Sequence, residues 1–344
     1  MGRRGGALGG AFSWARGLAA SVLVPRLLPV VLGPQRRAGE EELGPYLGGG
    51  GDVRVREMSP GLSGEAAGVL EWDRAEEADR TWHWLVGAGG QGRFERVEVT
   101  SDDGALLVGR ALTCNSGSPR WVIFVHGYTD SWRAGLTYAR RYAEAGFNLL
   151  LVDLRAHGES AGDWVGCGWL DRRDLVAWAR WVVGRAGDGA RVLLAGISMG
   201  AASCLMACGE KDLPQQVRAC VSDSAYTDFW RAAENVVETG SLGTPAVAAH
   251  PMIDLARRRL MHVPGGYDLM LARPVDALAR TRVPVLLIHG EADRVVPPYM
   301  ARELAAAGGG HELVSFAGAG HCCAVFADPG RYWDAVLGFV GRWL

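Results

Sequence analysis

The stretch that most constrains this chain is residues 191–200, RVLLAGISMG. Val192, Leu193, Leu194 and Ala195 form a short unbroken apolar run, the pattern of a strand buried on both faces of a parallel sheet. The run breaks into Gly196-Ile197-Ser198-Met199-Gly200, a G-x-S-x-G, and an uncharged, small-residue segment with helical character follows at 201–208. A serine on a sharp strand-to-helix turn presents its hydroxyl, and glycines two before and two after leave room where strand and helix nearly touch. The helix N-terminus also aims free N–H groups and the positive end of its dipole at a reacting carbonyl. Because the chain holds 49 glycines, the pentapeptide gains its weight from the strand before it and the helix after it.

Around that turn the chain has 344 residues, enough for one large α/β domain with additional segments. A formal charge of −2 leaves no basic footprint for nucleic acid. The seven cysteines (114, 167, 204, 208, 220, 322 and 323) are odd in number and contain no C-x-x-C, so neither a disulfide framework nor a zinc site is indicated. Cys204 and Cys208 read as small core residues of the helix after Ser198.

Residues 1–39 carry Arg3, Arg4, Arg16, Arg26, Arg36 and Arg37, no acid, and apolar runs at 17–25 and 27–34. Arg16 and Arg26 interrupt the 18 or more apolar residues that a transmembrane helix needs. A basic start with short apolar runs fits a signal anchor, which predicts membrane association or export; a cytoplasmic protein with a basic leader is the alternative. Residues 40–63, with a glycine run, read as a linker, and 65–86 as a helix packed on the catalytic domain as an N-terminal extension. From 93 the pattern is regular. Strands at 94–100 and 105–112 form a hairpin around Asp102-Asp103-Gly104. Further strands follow at 121–125, 149–152, 192–195, 217–221, 285–288 and 312–316, with helices at 134–145, 170–183, 298–307 and 324–344. Strands alternating with helices describe a mostly parallel sheet covered on both faces. Residues 226–282 break the alternation with helix patterns at 227–237, 245–261 and near 268, and read as a lid over the crevice.

The pieces VIFVHGYTDSW (122–132), DLRAHGES (153–160), GISMGAA (196–202), PVLLIHGEADRVVP (284–297) and GAGH (318–321), in that order, resemble the α/β-hydrolase superfamily, in its branch of small lidded esterases and serine aminopeptidase-like hydrolases. The resemblance covers residues 94–344. It implies an α/β-hydrolase fold with a twisted, mostly parallel sheet, helices on both faces and a small helical lid. It also implies a catalytic order of serine, acid, histidine. Ser198 is then the nucleophile, Asp293 the acid in the loop after PVLLIHG, and His321 the base in the loop after the last strand. Serine is a poor nucleophile until a base takes its proton, histidine titrates near working pH, and the aspartate fixes the imidazole tautomer. Asp223, after the preceding strand, is the rival acid, and His289 and His311 are rival bases. The resemblance further implies an oxyanion hole from the backbone N–H groups of Tyr128 and Met199. Asp153 and His157 read as loop bracing, and Arg257, Arg258 and Arg259 as a solvated helix.

The function expected is a serine hydrolase that cleaves a small-molecule ester or other acyl substrate through an acyl-serine intermediate, with no cofactor and no metal. Serine aminopeptidase, amidase or thioesterase activity uses the same machinery, and a non-catalytic binding module on this fold is the alternative from another class. An aspartate-nucleophile dehalogenase or epoxide hydrolase is disfavoured by Ser198. Phe229 and Trp230, just past the strand end that opens the lid, are expected to line the acyl pocket.

Overall fold

The computed structural model describes residues 94–238 and 249–344, together with 28, 29, 31–35, 77, 80, 81, 83 and 84. The expected linker, most of the expected leader and most of the helix at 65–86 lie outside the described residues. Eight strands form one sheet: β1 (Glu95–Thr100), β2 (Leu106–Leu112), β3 (Arg120–Val125), β4 (Asn148–Val152), β5 (Arg191–Ile197), β6 (Val217–Asp223), β7 (Val285–Gly290) and β8 (Glu312–Phe316). They run in the order β1-β2-β4-β3-β5-β6-β7-β8. The opening hairpin is antiparallel and β2 joins β4 antiparallel; every pair from β4 to β8 is parallel. The chain places β4 on one side of β3 and β5 on the other, so the strand order reverses at β3. A reversal of this kind opens a crevice beyond the carboxyl ends of the two strands.

Alternation along the inner strands divides the core into two layers, because successive side chains point to opposite faces. Val192 and Leu194 of β5 face one layer with Ile123, Val125, Cys220 and Leu287. Helices α2 (Asp171–Ala186) and α3 (Met199–Cys208) close that layer. Leu193 and Ala195 face the other layer with Val122, Phe124, Val221 and Ile288, closed by α1 (Leu136–Glu144) and the C-terminal helix. All ten residues of α3 are buried, which is why this helix is apolar all round and not amphipathic.

The remaining helices are α4 (Phe229–Glu238), α5 (Ala249–Leu260), α6 (Pro274–Leu278), α7 (Pro298–Ala306), α8 (Ala324–Ala327) and α9 (Pro329–Val340). Two departures from the expected elements have local causes. The helix expected over 324–344 is broken at Asp328, whose backbone is extended (φ −150°, ψ 83°) and whose side chain accepts from Arg331 N–H. Pro329 excludes helical geometry from the residue before it and then starts a new helix. Likewise α6, which the periodicity does not announce, begins on Pro274. In the insertion, α5 falls within the helix expected at 245–261, α4 runs one residue past the one expected at 227–237, and a 3-10 turn lies at Leu269–Leu271.

The expected leader is not separate along its whole length. Leu28 and Leu32 are buried in the same apolar layer as Val165 and Cys167. Gln35 forms a parallel bridge with His157. Of the N-terminal helix, Glu77 pairs with Arg140 of α1 at 2.6 Å, Thr81 is buried, and Trp84 packs against the second layer. Among the described residues no helix is long and apolar enough to cross a membrane.

Candidate active site

The turn after β5 is shaped by what cannot fit there. Ser198 adopts φ 51°, ψ −120°, in a region that a non-glycine residue occupies only when its surroundings hold it there. The hold is partly a hydrogen bond of 2.8 Å from Ser198 N–H to the Asp223 carbonyl at the end of β6. It is also steric. A Cβ on Gly196 would lie 2.6 Å from the carbonyl carbon of Gly200, and one on Gly200 would collide with the carbonyl oxygens of Val125 and His126. Strand, turn and the start of α3 are thus pressed against each other and against the end of β3.

His321 comes from the loop after β8 and Asp293 from the loop after β7, and parallel pairing brings both loops to the edge that carries Ser198. His321 Nε2 lies 2.8 Å from Ser198 Oγ, and His321 Nδ1 lies 2.7 Å from Asp293 Oδ2. The other Asp293 oxygen accepts from the N–H groups of Val295 (2.9 Å) and Val296 (2.8 Å). The carboxylate is therefore fully occupied and its orientation fixed. Burial lowers the pKa of His321, but the carboxylate of Asp293 and the neighbouring Cys322 raise it, and the balance stands well above the ordinary imidazole value.

The rival residues are placed elsewhere. Asp223 Oδ1 accepts from Ser224 Oγ at 2.9 Å, and Ser224 Oγ in turn accepts from the backbone N–H of Cys322 at 3.1 Å. Asp223 thus braces the loop that carries His321 and does not bond its ring. Burial pushes this carboxyl up to about 6, against the opposing pull of Ser224 and His321. His289 Nε2 sits 2.9 Å from the Val296 carbonyl and 3.3 Å from Asp293 Oδ2, where burial lowers its pKa. His311 lies near the Leu278 carbonyl, just before β8 and so at the opposite end of that strand from the loop of His321.

At the end of β3 a Cβ on Gly127 would lie 3.4 Å from Ser198 Cβ, so the Gly127-Tyr128 backbone passes directly beside Ser198. The backbone N–H groups of Tyr128 and Met199 donate to no described residue. Two unpaired donors beside a serine hydroxyl suit an oxygen that gains negative charge. Behind them, Asp153 accepts from Trp132 N–H (2.8 Å) and Glu159 N–H (3.0 Å), and His157 Nε2 accepts from Thr129 N–H (3.3 Å). These contacts brace the loop. Among the described residues no group of three His, Cys, Asp or Glu is arranged to hold a metal ion.

The insertion meets the site through a residue that periodicity alone does not single out. Asn235 of α4 donates to the carbonyls of Arg294 (2.8 Å) and Val295 (3.1 Å), in the loop that carries Asp293. Phe229 meets Tyr226 edge-on at 5.7 Å and packs on the main core, while Trp230 packs on Ile253 and Ala233. Both rings therefore have contacts inside the insertion. Arg257 and Arg258 pair with Asp268 and Asp254 on the surface of α5. An open groove lined by Arg191, Val217, Arg218 and Pro284 lies at the opposite end of the strands from Ser198.

A crevice at a strand-order reversal, with a serine on a tight turn after the central β5, defines a hydrolase of the α/β class. The chain belongs to the alpha/beta hydrolase family, whose profile matches residues 122–335. It is 25% identical over 186 residues to YqkD of Bacillus subtilis, covering 52% of this chain and 57% of that protein. The chain spans less than two thirds of the length of the curated relatives it matches. Among solved structures, the esterase Pf2001 of Pyrococcus furiosus superimposes with a TM-score of 0.59 at 22% identity, over 75% of this chain and 97% of that one. A puromycin-hydrolysing peptidase of Mycobacterium tuberculosis does so with a TM-score of 0.54 at 23% identity, over 73% of this chain and 39% of that one. At these identities the likeness is one of fold.

Proposed function

We propose that this hydrolase cleaves acyl esters by way of an acyl-Ser198 intermediate. The observation that carries the reading is the continuous hydrogen-bonded chain from Ser198 Oγ through His321 to Asp293. His321 Nε2 takes the serine proton as Oγ attacks the acyl carbon, and returns it to the leaving alkoxide. Asp293, already saturated by two backbone N–H groups, holds Nδ1–H and stabilises the imidazolium. The N–H groups of Tyr128 and Met199 receive the developing oxyanion, a contribution of several kcal/mol of barrier in this chemistry. Water then repeats the sequence on the acyl-enzyme.

Within this reading Phe229 and Trp230 border the acyl pocket and favour apolar acyl groups. Amide and thioester cleavage use the same groups, so the substrate class is decided by activity. A fluorophosphonate probe should label Ser198, and Ser198→Ala should lose both labelling and turnover. Turnover should be highest on p-nitrophenyl esters, in a panel that also holds aminoacyl amides and an acyl-CoA. Undiminished turnover by Ser198→Ala would refute the mechanism, and preference for the amides would reassign the substrate. The arginine-rich, apolar residues before 28 support membrane association; recovery of the full chain wholly in the soluble fraction of a lysate would refute it.

A further inference from the structure

Residues 28, 29 and 31–35 dock across the loops that follow β3 and β4. Val31 O accepts a hydrogen bond of 2.5 Å from the Tyr128 hydroxyl. Leu32 O accepts from Val165 N–H at 2.7 Å, and Gln35 N–H donates to Ala156 O at 2.6 Å. Leu28 and Leu32 are buried at 3% and 5% exposure, which anchors the segment by apolar burial and not by the hydrogen bonds alone. The Tyr128 ring stands edge-on to His157 at 6.2 Å, and His157 edge-on to His126 at 5.1 Å. His157 Nε2 receives the N–H of Thr129, which sits at φ 61°. Burial, reinforced by His126, pushes His157 down to about 3, so the ring is neutral and one nitrogen is free to accept. Burial likewise raises the Tyr128 phenol to about 12, which keeps it a donor at any working pH.

We infer that residues 28–35 form a strap that positions the oxyanion loop, by clamping Tyr128 between the Val31 carbonyl and the His157 ring. Tyr128 is otherwise half exposed, and its neighbour Gly127 has no side chain to hold the loop in place. The hydroxyl and ring of Tyr128 are thus tied down at one end of a residue whose backbone N–H, at the other end, faces the reacting oxygen. A strap that fixes the side chain fixes the peptide plane. The strap is a positioning element: it touches neither Ser198 nor the acyl group, and acts through Tyr128. An element of this kind changes the transition state more than the bound substrate, because the oxyanion forms only during the reaction.

The inference rests on the acyl-Ser198 reading, and the test separates the two. In the full chain, Tyr128→Phe removes only the hydroxyl bond to Val31, and Leu32→Asp expels the strap from its apolar seat. With p-nitrophenyl butyrate, kcat should fall about 3–10-fold for Tyr128→Phe and about 10–100-fold for Leu32→Asp, while KM stays within about 2-fold. Affinity for a trifluoromethyl ketone, whose adduct carries the oxyanion, should fall in step with kcat. Leu32→Ile should keep kcat within about 2-fold of wild type, as a seat that needs only apolar volume allows. Unchanged kcat in Tyr128→Phe overturns the strap, whether or not Leu32→Asp folds. So does a loss confined to KM, which would make the segment a wall of the substrate pocket. Full turnover by Ser198→Ala would instead overturn the reading of the site itself.

Discussion

The turn at Ser198 and the helical insertion stand at the same edge of the sheet, yet different forces hold them. At the turn the backbone does the holding: Ser198 N–H bonds the Asp223 carbonyl, Gly196 presses on Gly200, and every residue of α3 is buried. The insertion is held by side chains, some entering the first layer, such as Ala232, Leu260, Tyr267 and Leu269, and others forming exposed ion pairs, with Arg231 to Glu303 and Arg257 to Asp268 each at 2.7 Å. Its small apolar cluster of Ile253, Trp230 and Ala233 is separate from both main layers. Close-packed backbone contacts cannot be released one at a time, whereas exposed ion pairs contribute roughly 0–1 kcal/mol each and are screened by salt. The comparison teaches that the backbone at Ser198 is over-determined, whereas part of what holds the insertion can be released one contact at a time.

The sharpest break in that comparison lies at the acid. Asp293→Asn should lower kcat by about 10³–10⁴, as loss of a tautomer-fixing carboxylate does, with little change in melting temperature. Asp223→Asn should cost about 10-fold or less, because its carboxyl bonds Ser224 and not the imidazole; the reverse ranking would make Asp223 the acid. The same pair tests the pH dependence. The pKa of His321 stands above 6.5 in the folded protein, and the base must be neutral to act. Activity should therefore rise with pH through a midpoint above 6.5, and Asp293→Asn should move that midpoint down. Any stability carried by the imidazolium pair follows the opposite course: it is present below 6.5 and lost as pH rises through the folded value.

Gly200→Ala probes the packing of the turn directly. A methyl group driven into the Val125 and His126 carbonyls should destabilise the protein by about 1–3 kcal/mol or more and abolish turnover. Wild-type stability in denaturant melts would mean that the turn is no more constrained than the insertion. In the insertion, Phe229→Ala and Trp230→Ala should weaken the best ester by about 1–3 kcal/mol of transition-state binding and shorter esters by less. An equal loss in kcat/KM at every chain length, with a lowered melting temperature, would mark both rings as packing. The smallest effect belongs to Arg231→Ala, which should change stability by under about 1 kcal/mol and lose even that in high salt. A larger, salt-independent loss would show the insertion to be as firmly built as the turn.

The sheet was legible in the sequence because its causes are local. Continuous apolar runs such as 192–195 and 285–288 announce buried parallel strands, and each stands within a residue or two of the observed bounds. Proline placement was equally local, yet its consequence at Asp328 and Pro274 is set by one backbone position, which periodicity averages away. The order of Ser198, Asp293 and His321 was what the resemblance of the motifs to the α/β-hydrolase superfamily implied. Which carboxylate bonds the imidazole was not, since Asp223 at the end of β6 and Asp293 in the loop after β7 reach the same edge. Only the packing of the loops decided it, placing Asp293 on Nδ1 and turning Asp223 toward Ser224. Asn235 offered no signal at all, because its two bonds reach a loop about sixty residues away. Residues 28–35 show the limit most clearly. Their apolar run and flanking arginines have the same composition whether they enter a lipid surface or the protein's own core. Composition sets how strongly such a segment leaves water; the shape waiting at Val165, His157 and Tyr128, built from residues far along the chain, determines where it goes.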